Sequence, residues 1–484
     1  MVSFSLAIVL LVVGYIVYGR LVERVFRIDR ERVTPAIEKA DGIDYISMPA
    51  WKIFLIQFLN IAGLGPIFGA IMGVMFGPAA FLWIVFGCIF GGAVHDFFSG
   101  MISLRSDGAS CPEIIGNQLG NGMRKFVRVF TCILLFGIGA VFISGPADIL
   151  HEIFSSVSRV WWIYIVFAYY ILATVLPIDK LIGRIYPIFG ALLLFMAVAI
   201  LGALYYTAAP IPEVWQDISR PHPDGLPLFP MMFISIACGA VSGFHATQSP
   251  MMARCMTNEK YGRPCFYGAM IAEGIVALIW AAAASSYWGS LDGLHDFVKN
   301  CPAGSNTSAL AVNTICNGWL GTFGGILAVL GVVVAPITSG DTALRSARLT
   351  IADAFRFDQS KSIYRLGVSI PIFILVYLLL QIDFSVVWRY NAWFNQTLAT
   401  ITLWAITVYL AKLGNKFWIA LFPAAFMTFN CVCYLLVAPE CFICFDFALA
   451  YSLSALVTVS LVFWLLYTAH RLRYDTPSTM DNIR

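Results

Sequence analysis

Charge is scarce in this sequence. Only 12% of its 484 residues are Asp, Glu, Lys or Arg, about half the roughly 25% usual in soluble domains. No polar stretch approaches the roughly 50 residues that a soluble domain needs, so none is expected. The net charge of +3 is too small to suggest nucleic acid as a partner. The first apolar run, Phe4 to Tyr18, has no basic flank before it and no small-residue cleavage site. It therefore reads as a retained membrane helix and not as a signal peptide. Catalytic signatures are missing too. His151-Glu152 lacks the second His of an HExxH motif, and there is neither a G-x-S-x-G nor a phosphate loop. Gly63-Leu64-Gly65 has no third glycine at dinucleotide spacing. An enzyme is not expected.

What is present is apolar sequence. Hydrophobic residues make up 60% of the chain and the mean hydropathy is +0.82, which marks an all-α polytopic membrane protein. Runs near the roughly 20 residues needed to cross a bilayer fall at 3–19, 52–76, 79–99, 127–147, 160–177, 186–207, 230–250, 265–287, 319–339, 364–381, 392–411, 417–437 and 447–469. That is about thirteen transmembrane helices. With the N-terminus outside and connections alternating, 26 of the 30 Lys and Arg fall on the cytoplasmic side. Only Arg159, Arg220, Lys299 and Arg389 fall outside. A miscounted span would scramble this bias from that point onward. The expectation is a multi-pass bacterial inner-membrane protein, N-terminus out and C-terminus cytoplasmic.

The twelve cysteines say less. Cys301 and Cys316 share one outer loop and Cys441 and Cys444 another, where pairs can oxidise; reduced thiols are the equal alternative. The C-F-I-C spacing at 441–444 lacks the second pair of a zinc site.

Two spans carry polar breaks. The stretch MMFISIACGAVSGFHATQSPMMARC, Met231 to Cys255, runs from an apolar helix into Gly239, Ser242, Gly243, His245, Thr247, Gln248, Ser249 and Pro250. Gly and Pro at membrane depth free backbone groups, which reads as a break beside a cavity; a helix end with polar residues just outside the lipid is the bland alternative. Five spans earlier, QFLNIAGLGPIFGA holds Gln57, Asn60, Gly63, Gly65 and Pro66. Each broken helix is followed by a Pro, Pro78 or Pro264, at the start of the next span. Each third helix ends in a similar tract, Ser144-Gly145 to Asp148 and Thr338-Ser339-Gly340-Asp341. Because five is odd, the two sets of five run in opposite senses. Residues 51–208 and 230–412 thus read as a LeuT-like 5+5 inverted repeat. One extra helix (1–20) precedes it and two (416–470) follow.

Four stretches carry a family resemblance: GLGPIFGAIMGVMFGPAAFLW (63–83), GGAVHDFFSGMISLRSDGAS (91–110), CGAVSGFHATQSPMMARC (238–255) and ITSGDTALRSARLTIAD (337–353). With matching hydropathy over nearly the whole chain, the sequence resembles the carbon starvation protein A family in its shorter form. Longer members differ after the broken-helix His, where this chain has Thr247-Gln248-Ser249-Pro250. The resemblance implies uptake of small nutrients, peptides or pyruvate, during carbon starvation, with proton coupling in the pyruvate case. It also implies kinship with the amino acid–polyamine–organocation transporters.

The residues suggest how such a transporter would work. Half-helix N-termini offer unpaired N–H groups to a carboxylate, and Gly63, Gly65 and Gly243 permit close approach. Asn60, Ser242, Thr247 and Gln248 could orient the substrate. His245 titrates near neutral pH and could pair with the substrate, relay a proton or splint the break. Glu273 lies roughly 12 Å into its helix, where a carboxylate is a functional candidate by default; with His245 it is the proton-coupling candidate. Its structural alternative is a protonated carboxyl bonded to a neighbouring helix. His95, Asp96, Asp148 and Asp341 sit near helix ends. Asp341 with Arg345, and Asp96 with Arg105, read as gate or anchor pairs. Thr338 and Ser339 are a candidate sodium site, with interhelical bonding as the bland alternative. No cofactor is called for beyond the coupling ion, a proton or sodium. The partners expected are a small-molecule substrate and lipid; a channel or receptor is the remote alternative.

Overall fold

A computed structural model describes residues 1–42, 44–175, 178–302, 305–355, 357, 362–441 and 443–474. Arg356, Lys361 and Arg484, counted above among the cytoplasmic charges, lie outside them. Among the described residues the chain is helical throughout, without a β-strand. Seven helices among the described residues are long and apolar enough to cross a membrane, or nine if each of two bent pairs is taken as one span. Each of the thirteen expected segments overlaps a helix or a pair of half-helices. The segment expected as one span at 319–339 differs in form. There Thr307–Ile326 and Gly331–Phe355 meet at 87°, so its polar tract belongs to the second helix.

The first broken helix runs Ala50–Ile61, then Gly65–Val74, with a bend of 54°. Pro66 has no N–H to give, and Ile67 and Phe68 restart the ladder on the Leu64 carbonyl. The second runs Leu228–Ser235, then Gly243–Ala253. Three side chains from neighbouring helices take up backbone groups around this break. Trp83 Nε1 donates to the Ile236 carbonyl (3.1 Å), Gln396 Nε2 to the Phe233 carbonyl (2.5 Å), and Asn395 Oδ1 accepts from the Phe244 N–H (2.6 Å). Water is thus replaced by protein, as lipid-depth backbone requires.

The two breaks touch. A Cβ at Gly65 would lie 2.2 Å from Cys238 Cβ, so only glycine lets the segments approach this closely. Three π-helical turns, Gly65–Gly69, Gly87–Gly92 and Arg263–Tyr267, lie on or beside the broken helices and the helices that pack on them. Such turns recur at functional sites because they re-aim the residues that follow. All twelve cysteines are free thiols, so neither outer-loop pair is joined.

Candidate functional site

The polar residues of the interior fall into three groups around the breaks. The first is fully buried. Helix Ala93–Arg105 supplies His95 and Asp96, helix Gly243–Ala253 supplies His245, and helix Gly268–Tyr287 supplies Glu273; all four are 0% exposed. Asp96 receives a histidine on each oxygen: His95 Nδ1 at 2.8 Å from Oδ1 and His245 Nδ1 at 2.9 Å from Oδ2. An ionised carboxylate only accepts, so both Nδ1 atoms carry hydrogen. That leaves Nε2 as the lone-pair nitrogen of a neutral His245. It faces Glu273 Oε2 at 3.4 Å, within ion-pair range but not hydrogen-bonded. His245 Nε2 and both Glu273 oxygens have no hydrogen-bond partner among the described residues. One proton shared between His245 and Glu273 has two resting places here, a neutral acid beside a neutral imidazole or a carboxylate beside an imidazolium.

The second group is a polar seam between the first half-helix, helix Gly243–Ala253 and helix Val334–Phe355. Gln57 Nε2 donates to Ser249 Oγ (3.2 Å), and Ser249 to the His245 carbonyl (3.0 Å). Thr247 Oγ1 donates to the Phe244 carbonyl (2.7 Å) and accepts from Gln248 Nε2 (2.8 Å). Ser346 reaches the Thr247 carbonyl at 3.3 Å, and Thr342 lies 3.5 Å from Asn60 Oδ1. Gln57, Asn60 and Gln248 are 0% exposed, and each keeps one amide atom without a partner among the described residues. A buried network left this incomplete is costly to hold dry.

The third group lines a cavity of about 40 Å³ beside the breaks, walled by Gly65, Phe142, Cys238, Phe244, Trp388, Asn391 and Asn395 among others. It has room for only a few waters. Ser242 donates to Asn395 Oδ1 at 3.1 Å. Gly243 lies against helix Phe384–Lys412, where a Cβ would meet the Asn395 carbonyl oxygen at 2.4 Å. Gly63 abuts the ring of Phe142.

The sequence-predicted residues are therefore divided. Gly65 lines the cavity, Ser242 and Gly243 pack behind it on Asn395, Asn60, Thr247 and Gln248 lie in the seam, and His245 joins Glu273 in the buried cluster. Ser339 Oγ donates to the Leu59 carbonyl or to Ala335, each at 2.9 Å, and so bridges to the first broken helix. Thr338 turns back on its own helix. Among the described residues no group of three or more His, Cys, Asp and Glu is arranged to hold a metal ion.

Asp341 contacts Arg345 at 3.7 Å, as its i, i+4 spacing suggested, and accepts from Tyr186 OH at 2.8 Å. Asp96 and Arg105 are not a pair. Arg105 forks onto Glu259 with two 2.8 Å bonds, while Asp96 turns inward to the histidines. Asp96 and His95 are the site residues that sequence reasoning put at a helix end and left aside. The available signal was the preceding Gly87–Gly92 tract, which marks close packing well inside the span. Asn391, Asn395 and Trp388 were missed altogether. Their W-x-x-N-x-x-x-N spacing puts them on one helix face, but an apolar run interrupted by two Asn has no distinctive signature.

The family model described as "Carbon starvation protein CstA" matches residues 1–152 and 146–291. An uncharacterized membrane protein of Haemophilus influenzae is 41% identical over an alignment of 353 residues that covers 62% of this chain and 94% of that protein. The pyruvate/proton symporter BtsT of Escherichia coli is 28% identical over 55% of this chain and 46% of its own length. The peptide transporter CstA of Campylobacter jejuni is 26% identical over 56% and 48%. The chain thus spans about half the length of these two transporters. Among solved structures, the Eremococcus coleocola manganese transporter, crystallised with an aromatic bis-isothiourea substituted compound, superposes with a TM-score of 0.57 at 14% identity. The match covers 90% of this chain and 99% of that one. At that identity the likeness is one of fold.

Proposed function

This chain belongs to the carbon starvation protein CstA family, and from that premise we propose that it is a proton symporter importing small carboxylates across the bacterial inner membrane. The observation that carries the reading is the buried cluster of His95, Asp96, His245 and Glu273. Three ionisable groups and a fourth facing them, at lipid depth and packed against a broken helix, are expensive to keep. A load that is taken up and released gives that expense a use. Asp96 holds His245 in one orientation, and the imidazole presents its other nitrogen to Glu273. The proton rests on this pair and leaves when the packing between the helices changes.

Thirteen spans, N-terminus out, arranged as two inverted sets of five, give the alternating-access plan in which the broken helices form the fulcrum. The contact of Gly65 with Cys238 supports a midplane site between them. The polar seam from Gln57 to Ser346 is the inner path, closed in the structure and opened when the first half-helix moves. Among relatives, one is named for pyruvate and another for peptides. No acidic side chain lines the cavity beside the breaks, and a peptide amine would need one. That favours a small carboxylate over a peptide.

Sodium coupling at Thr338 and Ser339 is the alternative. Both hydroxyls donate to carbonyls, the bonding expected of them without an ion, while the buried His245–Glu273 pair supports the proton. Uptake of labelled pyruvate into proteoliposomes under imposed pH or sodium gradients decides between them. Accumulation driven by the pH gradient alone is expected, and uptake indifferent to pH overturns the proposal.

A further inference from the structure

The cavity beside the breaks has a chemical polarity of its own. Helix Phe384–Lys412 lays Trp388, Asn391 and Asn395 along one wall. Both polar atoms of the Asn395 side chain have partners: its oxygen accepts from Ser242 and from the Phe244 N–H, and its nitrogen donates to Cys238 Sγ at 3.3 Å. Trp388 and Asn391 differ. Trp388 Nε1 and Asn391 Nδ2 are buried atoms without a hydrogen-bond partner among the described residues. Both are donors, one turn apart on the helix. Buried donors without partners are rare because each carries a desolvation penalty. Here both belong to residues that wall one cavity, which among the described residues has no Asp, Glu, Lys or Arg on its walls.

The surroundings hold this pair in place. A Cβ at Gly137 would lie 2.3 Å from Asn391 Oδ1, so the opposite helix is cut away to seat the amide. The Trp388 ring packs on Phe384 at 5.7 Å and on Phe68 at 5.9 Å between centroids, and Phe68 belongs to the first broken helix. The indole is thus both a wall of the cavity and part of an aromatic cover tied to the first broken helix. Phe244, in the first turn of helix Gly243–Ala253, borders the same cavity, and that turn adds partial positive charge.

We infer that Trp388 and Asn391 form the subsite that receives the carboxylate of the substrate. The inference rests on the symport reading above for the transport of such a ligand, and it names which groups hold it. A carboxylate is acceptor-only, with two oxygens to share between the indole N–H and the amide NH₂. Neutral donors suit a transporter, because the anion is held without a countercharge that would have to be carried or neutralised on release. A volume of about 40 Å³ fits a ligand of few atoms after small side-chain shifts, not a dipeptide. Closure of the Phe68–Trp388–Phe384 cover brings the indole donor to the ligand, so binding and gating share one residue.

The test is pyruvate counterflow in proteoliposomes without any ion gradient, alongside gradient-driven uptake. Trp388→Phe keeps the ring and removes the donor, and Asn391→Ala removes the other; size-exclusion profiles check folding of both. Each is expected to raise the half-saturating pyruvate concentration about tenfold or more and to erase discrimination between pyruvate and its methyl ester. Asn391→Asp, which sets a like charge against the ligand, is expected to abolish counterflow, and the dependence on the pH gradient is expected to persist in Trp388→Phe. Parental half-saturation and parental ester discrimination in both variants overturn the subsite while leaving symport intact. Loss of gradient dependence in the parental protein, with the variant shifts still present, removes the symport reading and keeps the subsite. A parental protein that exchanges no pyruvate overturns both.

Discussion

The Nε2 atom of His245 lies 3.4 Å from Oε2 of Glu273, with both side chains fully buried. Neither atom has a hydrogen-bond partner among the described residues. The gap between them is slightly wider than a hydrogen bond, and a small movement of either helix closes it. In the proposed symport, affinity for the proton is thereby tied to the packing of helix Gly243–Ala253 on helix Gly268–Tyr287.

Glu273→Gln keeps the size of the side chain and removes the titrating group. Uphill pyruvate uptake is expected to fall to background while counterflow continues within a fewfold of the parental rate. Paired measurement of the two modes in proteoliposomes checks this.

Asp96→Asn removes one charge and leaves one oxygen to accept from two histidines. The lost hydrogen bond to a charged group costs about 1.5–3 kcal/mol, and His245 loses its fixed orientation. Thermal unfolding in detergent should show a lower midpoint. Gradient-driven uptake should drop at least tenfold, and His95→Ala should have a smaller effect than His245→Ala, since only His245 faces Glu273.

Gly65→Ala sets a methyl group against Cys238. Overpacking of this kind typically costs about 1–3 kcal/mol. The double variant Gly65→Ala, Cys238→Gly is expected to recover part of the loss, and the non-additivity in a double-mutant cycle measures the contact. Additive losses would mean that the breaks are not held by this approach.

Glu259 anchors the end of the first helix and the base of the Asp96 helix together. It is 0% exposed and holds Arg105 by two bonds, Arg32 at 3.3 Å and the Asp29 N–H at 2.8 Å. Breaking a buried pair costs about 3–5 kcal/mol, whereas a pair as exposed as Arg32 contributes about 0–1 kcal/mol. Glu259→Gln should therefore lower the unfolding midpoint far more than Arg32→Gln.

Much of this was legible in the sequence, for physical reasons. Lipid forbids unpaired backbone and unneeded charge, so the polar stretches at 60–66 and 242–250 and the isolated Glu273 stand out against apolar neighbours; the structure moves the second break upstream to 236–242 and leaves 243–253 helical. What the sequence hid were relationships across helices. Asp96 sits nine residues before the end of its helix at Arg105, and distance along the chain could not tell whether it turned to that arginine or to His245. The spread of Asn60, Thr247 and Gln248 into a seam apart from the cavity depends on how three helices pack. Trp388 and Asn391 became candidates only when their donors were found without partners.

The most direct test of the central claim is substrate-driven proton entry, read by an entrapped pH indicator in proteoliposomes of the parental protein and of Glu273→Gln. Pyruvate added outside should acidify the lumen of parental vesicles and leave Glu273→Gln vesicles unchanged while labelled pyruvate still exchanges. Equal acidification in the two, or none in either despite pyruvate uptake, would contradict the assignment of the coupled proton to His245 and Glu273.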